Sequence, residues 1–336
     1  MQFFYTDPQT EFERMIGGYF YVNALGQIEP GDDRKFTQFL KISKVPPRTT
    51  VYIDSSGGDV DAAIGIGRAI REHWLETTVG KCLLKHDNSS EFIFKRDYQP
   101  GRCMSAATLI LIGGRIRLVL KGGQVGVHQF SFRNPTPDAI GHSQVLSARI
   151  AGYIHEMGIS PEFMALSAST RSDEITIVTE AELERLKVIT GGQTTVVWTV
   201  QARRNMIYVR GERDSIYGHH KIILNYLKES GFMFWAVIEA QGREHELMNF
   251  VPVELVVKNE EIKIDVSSRC HRIIEGMYVN VFVNLSEAEA RTIAFSDSVG
   301  IHIRGSREAG MFLGIAPMAT SDGKEQLATF FNVLCS

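Results

Sequence analysis

The sequence predicts an α/β domain over residues 1–190 followed by a β-rich domain over residues 195–336. Three observations carry that expectation. Strand-like and helix-like segments alternate down to Thr190, the pattern of a sheet with crossover helices. After Gly191-Gly192 the texture shifts to short β-branched runs, many alternating with period two. The length, 336 residues, favours two ordinary domains over one.

Taken in order, residues 15–28 look like an opening strand or hairpin punctuated by Gly17, Gly18 and Gly26. Asp32 to Ser43 places Phe36, Phe39 and Leu40 at helical spacing, and Pro46-Pro47 ends that helix. Thr49 to Ile53 is a β-branched strand, Ser55 to Asp59 a glycine turn, Val60 to Leu75 a helix and Thr77 to Leu84 the next strand. A strand, helix, strand unit of this kind argues for a parallel pair with a right-handed crossover. His86 to Pro100 interrupts the rhythm, with polar ends around Phe92-Ile93-Phe94, and is expected to act as a lid or partner contact. Further on come a helix at Met104 to Ile112, a strand at Arg115 to Leu120 and a long helix at His142 to Met157. Another helix opens at Pro161, and a strand at Ile175 to Val178 precedes a helix at Glu180 to Leu186. In the second domain seven strands are expected, with helices only at Tyr217 to Ser230 and Ser286 to Phe295.

Composition bounds the function classes. Apolar residues make up 44% and charged residues 22%, with a net charge of -3, which gives no electrostatic case for nucleic acid or an anionic membrane. No apolar run approaches the ~20 residues of a membrane span, and the first residues lack a signal-peptide pattern. The expectation is therefore a cytoplasmic protein, although an exported chain whose signal had been removed would read the same. Cys82, Cys103, Cys270 and Cys335 have no metal-ligand spacing; buried thiols are expected, while Cys82–Cys103 and Cys270–Cys335 bridges remain the alternative. His219, His220 and His245 lack companion ligands, and no metal or other cofactor is expected.

Three segments carry chemistry. Ser105 sits between Gly101 and the small residues Ala106 and Ala107, at a helix start where free amides can stabilise developing negative charge. Alone, this tetrapeptide would read as tight helix-on-sheet packing. His128 closes the strand-like run Gly123 to Phe130, and histidine is the usual general base. Gly57 and Gly58 follow a buried strand, and glycine permits the close backbone approach that an oxyanion hole requires. The turn is not a nucleotide loop, since it lacks the lysine and the dinucleotide glycine spacing.

From about Phe20 to Thr190 the chain resembles the Clp-type serine peptidase family, within the Clp/crotonase fold. The family's S-P-G-G-x-V turn reads here Ser55-Ser56-Gly57-Gly58-Asp59-Val60, with Ser56 in place of proline. Its G-x-A-x-S-M-G-A segment reads Gly101-Arg102-Cys103-Met104-Ser105-Ala106-Ala107-Thr108, and its I-H-Q-P segment reads Val127-His128-Gln129-Phe130. The Cys103 to Ala106 spelling looks closer to a bacterial branch of Clp-like proteins than to the Clp protease subunit itself.

The resemblance implies a β-α superhelical fold for residues 1–190 and peptide-bond hydrolysis through an acyl-enzyme. It assigns Ser105 as nucleophile, His128 as base and amides near Gly57, Gly58 and Ala106 as the oxyanion hole. Asp173 or Glu174 would complete a triad, the choice resting on a one-residue shift in alignment. The partners it implies are a protein or peptide substrate and further copies of the chain in a homo-oligomer, with the β-rich domain binding substrate, partner or subunit. A related peptidase family uses a lysine base, for which Lys81 and Lys85 are the nearby residues, but His128 occupies the expected place. A catalytically inactive Clp-like scaffold and a crotonase-type acyl-CoA enzyme are the rival readings; the latter normally recruits carboxylates, and no CoA-phosphate patch is evident.

Overall fold

Hydrophobic alternation and glycine breaks divide the chain into short elements, which the computed structural model describes for residues 1–16, 19–85, 92–129, 139–203 and 206–335. The chain forms two units, Met1–Gly192 and Gln193–Ser336.

The first unit runs β1 (Gln2–Thr6), α1 (Glu11–Ile16), β2 (Tyr21–Leu25), α2 (Asp32–Ser43), β3 (Thr50–Asp54), α3 (Val60–Glu72) and β4 (Glu76–Val79). It continues with β5 (Lys81–Leu84), β6 (Arg96–Gln99), β7 (Arg102–Met104), α4 (Ala107–Leu111), β8 (Arg117–Val119) and β9 (Gln124–Val127). It ends with α5 (Ala139–Glu156), α6 (Glu162–Ser169), β10 (Thr176–Val178) and α7 (Glu180–Arg185). Among the described residues, one sheet has the order β1-β2-β3-β4-β8, parallel except for β1. A second has the order β10-β9-β7, with β7 and β9 parallel and β10 antiparallel. Strand β2 is buried over most of its length and β3 at alternate residues, and Val22, Val51, Ile53, Ile66, Ile70 and Ile110 form the centre of the core. Helix α3 starts where Asp59 accepts a hydrogen bond from the Ala62 amide at 2.8 Å, an N-cap that also fixes the end of the glycine turn.

The lid or partner contact expected at segment 86–100 falls partly on residues that are described and partly on residues that are not. Residues 86–91 lie outside the described residues. Beyond them β6 pairs antiparallel with β5. Phe92 meets Phe12 edge-on at 5.7 Å, and the Phe94 amide donates to Glu13, so the apolar centre contacts α1. Phe92 itself stays 66% exposed.

The second unit contains β11 (Val197–Arg203), β12 (Met206–Ser215), β13 (Gly218–Leu227), β14 (Gly231–Glu239), α8 (Glu244–Asn249), β15 (Val253–Val257), β16 (Ile262–Asp265), β17 (Cys270–Glu275) and β18 (Tyr278–Asn284). It closes with α9 (Glu287–Ala294), β19 (Ser298–Ile303), β20 (Leu313–Ala319), a 3₁₀ turn at Ser321–Gly323 and α10 (Lys324–Cys335). Its strands form antiparallel sheets of order β11-β12-β13-β14-β18-β17 and β16-β15-β19-β20. Residues of both sheets and of α9 and α10 share one core around Phe234, Val281, Ile301 and Phe331. The helix expected at Tyr217 to Ser230 is instead β13, joined to β12 by a hairpin in which Ser215 pairs with Gly218. Ile222, Ile223, Leu224 and Asn225 are all buried, one after another, and a strand covered on both faces loses the alternation that would announce it. All four cysteines are free thiols, Cys82 and Cys103 buried. Among the described residues no helix is long and apolar enough to cross a membrane.

Candidate active site

The register of the small sheet places the two chemical side chains. Met104 pairs with Gly126 in the parallel β7/β9 ladder, and the Ser105 amide donates to the Gly126 carbonyl at 2.8 Å. Ser105 and His128 therefore leave the carboxyl ends of neighbouring parallel strands, the end at which α/β sheets present their crevices. Ser105 has φ of 55°, a left-handed conformation rare for a residue with a Cβ. Strand β7 turns there through a single strained residue into α4, the strand-turn-helix shape that holds a nucleophile out of the sheet. The Thr108 amide and hydroxyl both donate to the Ser105 carbonyl, at 3.0 and 2.7 Å, which fixes the turn. With only five residues, α4 supplies local amides rather than a long dipole.

The glycine turn is stitched to the same strand. The Ser55 amide donates to Arg102, the Met104 amide donates to Ser55, and the Asp54 carboxylate accepts from the Arg102 amide. Gly57 consequently lies against Ser105. A Cβ at position 57, where φ is 97°, would stand 2.9 Å from the Ser105 Cβ and 2.7 Å from the Met104 carbonyl oxygen. Gly58, with φ of 141°, would drive a Cβ into the Ile28 carbonyl. Side chains are excluded at both positions by backbone conformation and by contact. The Gly57 amide donates to Ser55 Oγ at 3.1 Å. The amides of Gly58 and Ala106 make no hydrogen bond among the described residues, and Ala106 lines the same pocket as Ser105.

Ser105, Ala106 and His128 line one pocket of about 280 Å³. Its apolar wall comes from Val60, Leu109 and the α5/α6 residues Ile150, Ile154, Phe163 and Met164. Ser147 and Ser167 also line it, but their hydroxyls donate to carbonyls of their own helices. Cys103 adjoins Ser105's strand without exposure, and burial pushes its thiol far up, so it offers no thiolate.

The acidic candidates stand apart from this group. Asp173 Oδ1 and Oδ2 accept from Arg171 at 3.0 Å each, and hydrogen bonding by Arg171 lowers the carboxyl's pKa. Glu174 is exposed in the same turn. Among the described residues no carboxylate bonds to His128, and no hydrogen bond joins His128 to Ser105, although both were expected within reach of each other. His128 Nδ1–H instead donates to the Gln129 carbonyl at 2.6 Å, a partner that sequence reasoning passed over because a main-chain acceptor has no residue signature. Lys81 is held by Asp54 at 2.8 Å, and Lys85 lies 4.0 Å from Asp97, so each considered lysine faces a carboxylate. His219 Nδ1–H donates to Asp214 Oδ1, 3.1 Å away. No cluster of three His, Cys, Asp or Glu suited to a metal occurs among the described residues.

No protein-family model and no curated protein matches the chain. Among solved structures, it is similar to an asparagine-to-aspartate variant of ClpP1 from Listeria monocytogenes, with 17% identity and a TM-score of 0.38 over 50% of this chain and 88% of that one.

Proposed function

We propose that this chain is a serine hydrolase of the Clp-like type that cleaves peptide bonds through an acyl-enzyme. One observation carries the reading. Ser105, on a left-handed turn at the end of β7, shares a pocket with His128 at the end of the adjacent parallel β9 and with Ala106, whose amide makes no hydrogen bond among the described residues. In this reading His128 Nε2 takes the proton from Ser105 Oγ as the oxygen adds to the carbonyl carbon. The Gly58 and Ala106 N–H groups receive the oxyanion, with Gly57 giving it room. The imidazolium returns the proton to the leaving amine, and water repeats the sequence on the ester. Asp173, or Glu174 by a shift of one residue, would act only after Asp173 exchanged Arg171 for another partner. The apolar wall favours substrates with an apolar side chain next to the scissile bond, and the fold class is compatible with assembly into a homo-oligomer in which the β-rich unit binds substrate, partner or subunit.

A serine-directed fluorophosphonate tests this. Wild type should be labelled at one site and Ser105→Ala not at all. Equal labelling of both proteins, or none of either, would leave the inactive-scaffold reading, which the missing Ser105–His128 hydrogen bond favours.

A further inference from the structure

We infer that the base is oriented by the peptide carbonyl of Gln129 rather than by a carboxylate, so that Gln129 is the positioning residue of a Ser105–His128 dyad. The inference rests on the hydrolase reading above. A carbonyl oxygen can only accept, so the 2.6 Å contact requires the proton of a neutral His128 ring to sit on Nδ1. That tautomer leaves the Nε2 lone pair free, which is the state a general base needs and the one a triad carboxylate ordinarily enforces.

The residue that carries this carbonyl is itself held. The Gln129 amide donates to the Thr170 carbonyl at 2.9 Å, and Gln129 Nε2 donates to the Ala168 carbonyl at 2.6 Å. Main chain and side chain of one residue thus clamp the peptide after His128 to the end of α6. Thr170 is buried and its hydroxyl bonds to Thr176 Oγ1 at 2.9 Å, at the start of β10, which pairs back onto β9. Asp173 lies in the exposed turn between these anchors, and its pair with Arg171 is solvated and weak. What disqualifies it is not the strength of that pair. The ring has a single Nδ1 proton, and it is already committed.

Three variants of the full chain, ¹⁵N-labelled at histidine, test the assignment, with His128 resonances identified by their loss in His128→Gln. In wild type at mildly alkaline pH, long-range ¹H–¹⁵N spectra should show His128 as the Nδ1–H tautomer. Asp173→Asn should keep that tautomer and label with fluorophosphonate within about threefold of wild type, whereas a triad aspartate replaced by its amide costs about 10⁴-fold. Gln129→Met should lose the single tautomer and slow labelling by about 10- to 100-fold, the share of general-base catalysis given up by a loosened imidazole. Gln129→Glu, which has the same length but no donor toward Ala168, should resemble Gln129→Met. An Nε2–H tautomer in wild type, or a collapse of rate and tautomer in Asp173→Asn, overturns the inference while Ser105 labelling leaves the hydrolase reading standing. Absence of wild-type labelling overturns the hydrolase reading, and the dyad with it, whatever the tautomer.

Discussion

Ser105 combines two demands that a side chain rarely meets together: a left-handed backbone and an oxygen aimed out of a sheet. The φ of 55° stores roughly 1–2 kcal/mol that no local contact of the hydroxyl repays, since the serine's amide and carbonyl, not its Oγ, make the bonds that hold the turn. It follows that the usual order of Ala and Gly should invert here. Ser105→Gly should exceed Ser105→Ala in unfolding free energy by about 1 kcal/mol, the relief of the left-handed conformation less glycine's greater unfolded-state entropy. Urea denaturation of both variants checks this; an alanine variant as stable as the glycine one would mean the turn is not strained. Of the candidate residues, Ser105, His128 and the two glycines stood out because each sits in a motif of distinctive spelling, and the fold brings Ser105 and His128 to one pocket and Gly57 against Ser105. Asp173 was legible only as an acid at a family-like distance, and its side chain answers to Arg171, two residues away, which alignment does not weigh.

Among the elements, α1 and the β5–β6 hairpin depend on one another through a buried ion pair. Arg96 meets Glu13 at 2.7 and 3.0 Å, with their side chains 3% and 0% exposed, and the Gln9 and Phe94 amides donate to the same carboxylate. Hydrogen bonding by Arg96 foremost, then by those amides, against the cost of burial, brings the Glu13 pKa down to about 2. Glu13→Gln would leave Arg96 without its counter-charge, and should cost about 3–5 kcal/mol by denaturant unfolding. Because the folded-state pKa lies below the ordinary 4.5, the stabilisation is complete above that pH and declines as pH falls toward 2. The gap between wild type and Glu13→Gln should therefore narrow over that acidic window. A gap that is constant from neutral pH to pH 2 would contradict the buried pair. Local pattern had announced α2, whose bounds match Asp32–Ser43, and α9, whose Ser286 and Glu289 form a capping box. It did not announce the hairpin, because β6 is only four residues long and gains its strand character from pairing with β5. Nor did it announce β17, β20 or α8, whose burial is decided by partners distant in sequence.

At the scale of the whole chain, the two hydrophobic cores share no residue: one ends at Ile189 and the other begins at Trp198. The change of texture at Gly191-Gly192 was readable because an α/β crossover pattern and an antiparallel meander differ in period. The adjacency of β7 and β9, by contrast, is a tertiary fact that nineteen residues of intervening sequence conceal. Every residue of the candidate pocket lies between Val60 and Ala168. Buried Arg117 ties β8 to the end of this unit by donating to the carbonyls of Gly114, Lys187 and Val188. These contacts argue that residues 1–192 hold their own core, their own closing bonds and, among the described residues, the lining of the Ser105 pocket. Each unit also falls within the size at which a single core is stable alone. Expressed separately, residues 1–192 and 193–336 should each give a cooperative thermal transition, and the first should take up fluorophosphonate at Ser105 within about tenfold of the full chain, a loss of no more than ~1.4 kcal/mol in the reaction barrier. If residues 1–192 fold cooperatively yet stay unlabelled while the full chain reacts, the β-rich unit completes or orders the site. If they do not fold at all, the second unit contributes to the stability of the first, and the division between them is one of contacts rather than of folding.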